Sequence, residues 1–407
     1  MARTTSPRTT QPGSPDQKWL HDYLVNVTGR PTNFDVAGRA FPASVKSYAM
    51  APKHMARQAR RKEQLAAEAE AHGHVETAHE LYWDALRDFH QAQHSIHRDT
   101  PQKRHYYERL VACYDKVIQH NPHEIRRVEI PWDGNSVQCI YHPIPGKPKA
   151  PAVLCLSGID VAKELYVEPL DNPFHRRGFH VIVMDGPGMG IGRLRGMTLR
   201  ADNYELAARP VLDFLLAQPE VDPDGLAVLG AMPGAYWATR IAASDDRVRA
   251  LATNGGLYAA TKPIFEDLVS PRFKWHVMYM MGIDDEEEFF RAVGDLTPVG
   301  LGPAIRCPAL MVINEYDEFI DLEQACAHFD SLAGAKEMWL LEDEGHRGAS
   351  PAGFAGNSQI HSMLDWLRDT LKNGRALDYT RVVRIGRNAP GPYGKASAYP
   401  FGEDFWY

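Results

Sequence analysis

The chain reads as an α/β protein: a mostly parallel, doubly wound sheet carrying an N-terminal helical domain and a lid insertion. Three observations predict it. From about residue 125, short apolar runs alternate with helical stretches: "AVLCLS", "HVIVMD", "LAVLG", "ALATN", "ALMVIN" and "EMWLL". Such runs bury both faces, as strands do in a parallel sheet covered by helices. Before residue 125 the apolar positions recur at helical spacing instead. At 258–305 a Met- and aromatic-rich segment, with "FKWHVMYMMGIDDEEEFF" at its centre, interrupts the alternation and is well placed to be a lid.

The expected division follows. A disordered tail covers 1–16, a helical domain 17–124, an α/β core 125–257 and 306–375, the lid 258–305, and an aromatic C-terminal arm 376–407. The opening "MARTTSPRTTQPGSPDQ" carries charge with no apolar segment behind it, so a tail rather than a secretory signal is expected. In "VETAHELYWDALRDFHQAQHSIH", Val75, Ala78, Leu81, Ala85, Phe89 and Ile96 follow helical spacing. The next helix opens at "DTPQ", with Thr100 as cap and Pro101 in the first turn. It continues through Tyr106, Tyr107, Leu110, Tyr114 and Ile118. "RRVEIPW" and "SVQCIYHP", separated by "DGN", read as a hairpin. "DDEEEFF" (284–290) reads as a solvated helix face, and the closing "YPFGEDFWY" as part of an arm that packs on a surface or a second subunit.

Composition narrows the function classes. The 44% apolar fraction, with 17 Tyr and 15 Phe, supplies a real core. A net charge of −7, mixed along the chain, gives no footprint for nucleic acid. No apolar run approaches the roughly 20 residues a membrane span needs. Cys113, Cys139, Cys155, Cys307 and Cys326 are odd in number and form no CxxC pair, which favours free thiols and a cytoplasmic location. The 18 histidines show no HExxH or comparable spacing, so no metal is expected. "GPGMGIG" fails as a dinucleotide loop, because Ile191 stands where the glycine after Gly186 and Gly188 is required. No organic cofactor is expected either.

The chemistry gathers at "LGAMPGAYW" (229–237), where an apolar strand runs into a Gly-x-x-x-Gly turn and then a helix. In a serine hydrolase the middle of that turn is the nucleophile. Here it is Met232, followed by Pro233. Asp317, in "INEYDEFID", follows a later strand, and His346, in "EDEGHRG", follows the last of the apolar runs. Turn, acid and histidine in that order are the α/β-hydrolase order.

Three further stretches resemble one branch of that superfamily: "LSGIDVAKE" (156–164) its oxyanion-loop motif, "DGPGMGIG" (185–192) its Asp-Gly-Pro-Gly-x-Gly loop, and "VDPDGLAVLG" its approach to the turn. The branch holds FrsA-like proteins, the dihydroxypseudooxynicotine hydrolase and fungal hydrolases that shorten pigment polyketides. The resemblance covers roughly 125–375, and the helical N-terminal region fits it. It implies a lidded, often dimeric enzyme acting on a small molecule, with members that cleave C–C bonds next to carbonyls.

The chain departs from that pattern twice. The Met232 thioether has no proton to lose and cannot be activated by His346 as a serine would be. Pro233 lacks the backbone N–H that normally serves as one oxyanion donor, a loss worth about 10²–10³ in rate. Proline also restricts the residue before it, which puts the strained turn conformation of Met232 in question. The expected enzyme therefore works without a covalent intermediate. Asp317 orients His346 as general base, and the N–H groups of Gly158 and Ile159 stabilise an enolate. Met232, Pro233, Asp160 and Tyr236 complete the expected pocket and loop. The open reactions are C–C cleavage, elimination, epimerisation and cyclisation of a bulky carbonyl metabolite, by a cytoplasmic homodimer. Two rivals stand: a conventional hydrolase whose nucleophile is Cys155, Ser157 or Asp160, and an inactive ligand-binding protein. Blander roles are a surface salt bridge for Asp160 and Lys163, and an inherited structural pair for Asp317 and His346.

Overall fold

The structure is a computed structural model and describes residues 48–258, 261, 265, 271–317, 319–345, 352–355 and 357–397. The tail expected over 1–16, His346 and the closing "YPFGEDFWY" lie outside the described residues.

In chain order, helices α1 (Ala51–Ala71), α2 (Val75–His94) and α3 (Pro101–His120) precede strands β1 (Arg126–Trp132) and β2 (Asn135–His142). Then come β3 (Ala150–Leu156), β4 (His180–Asp185), α4 (Gly190–Leu194), α5 (Tyr204–Leu216), β5 (Val221–Ala231), α6 (Pro233–Ser244) and β6 (Ala250–Asn254). After α7 (Pro271–Met281) and α8 (Glu286–Ala292) the chain forms β7 (Ala309–Tyr316), α9 (Leu322–Ser331), β8 (Lys336–Gly345), α10 (Gln359–Asn373) and β9 (Thr380–Ile385).

Backbone contacts divide the chain into two compact units. Residues up to His120 join Val269–Tyr279 in one, and Asn121–Leu268 joins Met280 onward in the other. The second unit is built on a nine-stranded sheet ordered β1-β2-β4-β3-β5-β6-β7-β8-β9. The β1–β2 and β2–β4 pairs are antiparallel, and all others are parallel. All six apolar runs are strands, and "DGN" makes the hairpin turn. Asp133 and Gly134 both take positive φ (49° and 69°), as a two-residue type I′ turn requires. Val153, Val183, Leu229, Ala252, Val312 and Leu341 lie fully buried between the sheet and its helices.

The edge strand β9 falls in the segment read as an arm. Its anchor is Glu337, a buried carboxylate that accepts Trp339 Nε1 at 2.8 Å, Trp366 Nε1 at 2.9 Å, the Tyr379 hydroxyl at 2.8 Å and the Arg381 guanidinium. Arg381 also donates to the carbonyls of Pro392 and Gly394, so the chain beyond β9 is tied to the same carboxylate. The short, charge-interrupted "TRVVRI" gave little pattern to identify it as a strand.

In the helical unit, Thr100 caps α3 as expected, its hydroxyl accepting Lys103 N–H at 3.1 Å. Tyr106, Tyr107, Leu110 and Tyr114 are buried, while Ile118 is half-buried. The stripe on α2 is rotated from the expected one: Val75 is exposed, and Tyr82, Trp83 and Leu86 take core positions beside Ala78, Ala85 and Phe89. The rotation makes room for polar rings. His90, His94 and His97 are buried with His276 of α7, and the His276 ring lies 4.1 Å from both the His94 and His97 centroids. His276 Nε2 is 2.7 Å from the His94 carbonyl, and Lys103 sits 4.5 Å over the Tyr279 ring. These contacts place α7 as far as Tyr279 with the helical unit, so the 258–305 insertion is shared between the units.

Candidate active site

Strand β5 delivers the chain to Met232, which stands at φ 56°, ψ −130° before α6 begins at Pro233. That is a strained strand-to-helix turn at a residue that carries a Cβ. The reservation raised by Pro233 is answered: proline is the first residue of α6, where its ring suits the helix and its missing N–H has no helical partner to lose. Packing imposes the turn. A Cβ at Gly230 would strike the carbonyl of Gly234, and one at Gly234 would strike the carbonyls of Leu156 and Ser157, so both glycines are required. Met232 N–H donates to the Asn254 carbonyl at 2.8 Å, pinning the turn to the end of β6.

Around this turn the structure gathers several of the expected residues. A Cβ built on Gly158 would lie 3.9 Å from Met232 Cβ and Sδ and from Pro233 Cδ. The loop after β3 and the turn are therefore in van der Waals reach. A Cβ on Gly255 would lie 3.9 Å from Met232 Cα and 3.9 Å from Ile320 Cδ1, so the loop after β7 converges there too. Asp317, on that loop, is buried, and its Oδ1 accepts Phe319 N–H at 3.0 Å. Strand β8 ends at Gly345. Ile159 is half-buried on the loop after β3. Tyr236 is buried one turn into α6, where its hydroxyl accepts from Arg240 at 3.3 Å and Arg240 pairs with Glu205 of α5. Burial pushes its phenol up to about 12.

Beneath the turn, the Tyr258 hydroxyl lies 2.8 Å from Thr253 Oγ1 and 2.7 Å from the Gly255 carbonyl, which accepts from it. Its ring stacks on His328 of α9 at 5.4 Å. Burial pushes the Tyr258 phenol up and the His328 imidazole down to about 4.

Asp160 and Lys163 are buried, so the surface salt bridge is not what the structure holds. Lys163 Nζ pairs instead with Asp185 and Glu164, each at 2.9 Å. Asp160 accepts Gly190 N–H at 3.1 Å. Burial alone would lower Lys163, but the Asp185 and Glu164 carboxylates hold it above its ordinary value. Burial also opposes ionisation of Glu164, yet Lys163 and Arg127 outweigh it and keep that carboxyl low. Asp185 is pushed up by burial, with Lys163 only partly compensating. Sequence reasoning singled out these motifs but missed the pairing. A carboxylate closing an apolar run, as Asp185 closes "VIVM", was the signal available.

Five described strands end beside one loop cluster, with a strained strand-to-helix turn at the middle: this is the α/β-hydrolase architecture. Residues 62–280, more than half of the chain, match the family described as esterase FrsA-like, and the chain belongs to that family. It is similar to the alpha/beta hydrolase psoB of Aspergillus fumigatus, at 32% identity over 41% of this chain and 40% of the relative. It is also similar to the 2,6-dihydropseudooxynicotine hydrolase of Paenarthrobacter nicotinovorans, at 28% identity over 77% of this chain and 82% of the relative. The match spans less than half the length of psoB and of the alpha/beta hydrolase xenA of Xenoacremonium sinensis. Among solved structures, a 2,6-dihydroxy-pseudo-oxynicotine hydrolase superposes with a TM-score of 0.70 at 24% identity, covering 84% of this chain and 94% of that one. No described helix is long and apolar enough to cross a membrane.

Proposed function

We propose that this chain is an enzyme that uses the α/β-hydrolase scaffold without a covalent nucleophile, with His346 oriented by Asp317 as general base. The observation that carries the proposal is Met232 in the strained turn conformation, presenting a thioether where the fold presents its nucleophile. The substitute nucleophiles are poorly placed. Cys155 is fully buried in β3 with its thiol pushed up by burial, Ser157 donates to the Val161 carbonyl at 3.0 Å, and Asp160 is committed to Gly190.

In the proposed chemistry His346 removes a proton from a carbon next to a carbonyl. The electron pair moves onto the carbonyl oxygen, where N–H groups of Gly158 and Ile159 stabilise the enolate. Its return expels a β-substituent, attacks an electrophile in the same molecule, or recaptures a proton on the other face. These are elimination, cyclisation and epimerisation. For C–C cleavage the base instead takes a proton from the water that attacks the carbonyl. The tetrahedral adduct then collapses to a carboxylic acid, the C–C bond breaks, and the departing carbon leaves as an enolate that takes the proton back from His346. A bulky, apolar carbonyl metabolite suits a thioether-lined site. The proposal includes a homodimer, from the family resemblance, and a cytoplasmic location, which five cysteines, odd in number and without a CxxC pair, favour.

The test pairs two measurements. Incubation with 4-phenylbutan-2-one in D₂O is expected to wash deuterium into the carbon next to the carbonyl, at a rate abolished in His346→Ala. A fluorophosphonate probe is expected to leave the protein mass unchanged. Stoichiometric labelling of a serine would replace this mechanism with an acyl-enzyme. Ketone binding without any exchange would favour the inactive binding protein.

A further inference from the structure

The sheet end that carries the proposed site contains a second device. Asp185, at the end of β4, accepts Lys163 N–H with Oδ1 at 2.9 Å, and with Oδ2 accepts Lys163 Nζ at 2.9 Å and Ile191 N–H at 3.2 Å. Three residues before Lys163, Asp160 takes Gly190 N–H at 3.1 Å and gives its own N–H to Met189 Sδ at 3.3 Å. It does so at φ 47°, a conformation that non-glycine residues adopt under constraint. Gly190 has to be glycine, since a Cβ there would collide with the Asp185 carboxylate. Glu164 closes the cluster, receiving Lys163 at 2.9 Å and Arg127 at 3.3 Å. The loop "SGIDVAK" is thus fastened to "DGPGMGI" at two points three residues apart. On its other side, Leu156 pairs with Gly230 across the β3–β5 ladder. Only Ser157, Gly158 and Ile159 lie between the strand and the first fastening.

The chemistry of the fastening is unusual for its place. Asp160, Glu164 and Asp185 are fully buried and Lys163 nearly so. Burying an ion pair consumes desolvation free energy that well-packed apolar side chains would not, so such pairs are poor devices for stability alone. Their directional hydrogen bonds do fix geometry, and oxyanion stabilisation depends on geometry that does not reorganise during the reaction.

We infer that Asp160, Lys163 and Asp185 are positioning residues that fasten the oxyanion loop to the β4–α4 loop and so aim the Gly158 and Ile159 N–H groups at the reacting carbonyl oxygen. The inference rests on the proposed role of those amides, and the experiment separates the two.

Hydrogen exchange of a peptide spanning residues 157–162 reads the loop without any substrate. In Lys163→Met and Asp160→Ala its protection is expected to fall about tenfold, while a peptide spanning β6 keeps its own. Asp160→Asn, which retains the acceptor for Gly190, is expected to keep most of the loop's protection even if Lys163→Met fails to fold. Deuterium wash-in to 4-phenylbutan-2-one is then expected to fall about 10²-fold in kcat for Asp160→Ala, with KM within about threefold, and to recover in Asp160→Asn. Unchanged loop protection in both Asp160→Ala and Lys163→Met would overturn the fastening. A loosened loop with full wash-in would leave the fastening standing and remove Gly158 and Ile159 from the chemistry.

Discussion

The turn at Met232 and the fastening at Asp185 stand at the same end of one sheet, and they keep their shapes by opposite means. At the turn the shape is held by backbone and by absent side chains. Gly230 and Gly234 admit passing carbonyls, and Met232 N–H binds the Asn254 carbonyl. Nothing in that scheme depends on what residue 232 carries, so a thioether can stand at the turn while the backbone stays strained. At the fastening the shape is held by the charged side chains themselves: Lys163 between Asp185 and Glu164, and Asp160 on Gly190. The contrast teaches that geometry and chemistry can be lost separately. In the proposed reading the turn has changed its chemistry and kept its geometry, whereas the fastening would lose both with a single charge.

The largest effect is therefore expected at the fastening. Asp185→Ala takes one carboxylate from the buried Lys163 ammonium and strips the acceptor from Lys163 N–H and Ile191 N–H. Breaking a buried pair from one side typically destabilises by about 3–5 kcal/mol. The urea midpoint should drop accordingly, with the slope of the transition unchanged. Met232→Ala, by contrast, should move the midpoint little, because the turn does not rest on that side chain. If the two substitutions destabilised equally, the contrast would fail.

A smaller effect follows from pH and sharpens the difference. The underside of the turn contains a titratable ring, His328 against Tyr258, which burial pushes down to about 4. Buried His142 is pushed down to about 3, also by burial. Both groups take up protons in the unfolded chain near pH 6.5 but in the folded chain only well below it. The unfolded state therefore binds more protons between those values, and stability falls as pH drops from about 6.5 toward 4. Each ring should account for about 2 kcal/mol between pH 7 and pH 5. His328→Phe keeps the stack on Tyr258 and should remove its share of the slope. Denaturant titrations at the two pH values measure it, and an unchanged slope in the variant would show that His328 titrates normally.

The fold was legible because it is written in local pattern. Six apolar runs became six strands, and "DGN" became the hairpin turn its positive-φ residues require. The missed strand, β9, has no such pattern. It is held by Glu337 receiving Arg381, Tyr379 and two tryptophans, partners up to 44 residues away in the chain. The α2 stripe was misjudged for a related reason: imidazole rings fill core positions there, and apolar periodicity does not count them. At the candidate site, order along the chain located the turn and the Asp317 loop. It could not show that Lys163 pairs with Asp185, since that partner is a strand end 22 residues further on. The strain at Met232 was misjudged because the restriction proline places on its predecessor was weighed alone. The flanking glycines and the Asn254 carbonyl impose the turn more strongly.

The smallest effect tests that last point directly. A residue with a Cβ held at φ 56°, ψ −130° stores about 1–3 kcal/mol of strain. Met232→Gly releases it, because glycine adopts positive φ without steric conflict, and loses about 0.5–1 kcal/mol to the greater freedom of glycine in the unfolded chain. If the turn is imposed from outside, the net result is a protein more stable by about 1 kcal/mol, with the loop peptide 157–162 as protected from exchange as before. Met232→Ala keeps the Cβ and should show no such gain. The comparison is clean only if the thioether contributes little packing, and Met232, being half-buried, limits that contribution. A Met232→Gly protein that is less stable than Met232→Ala would mean that the backbone is relaxed at this position, and that no strain is imposed on the turn from outside.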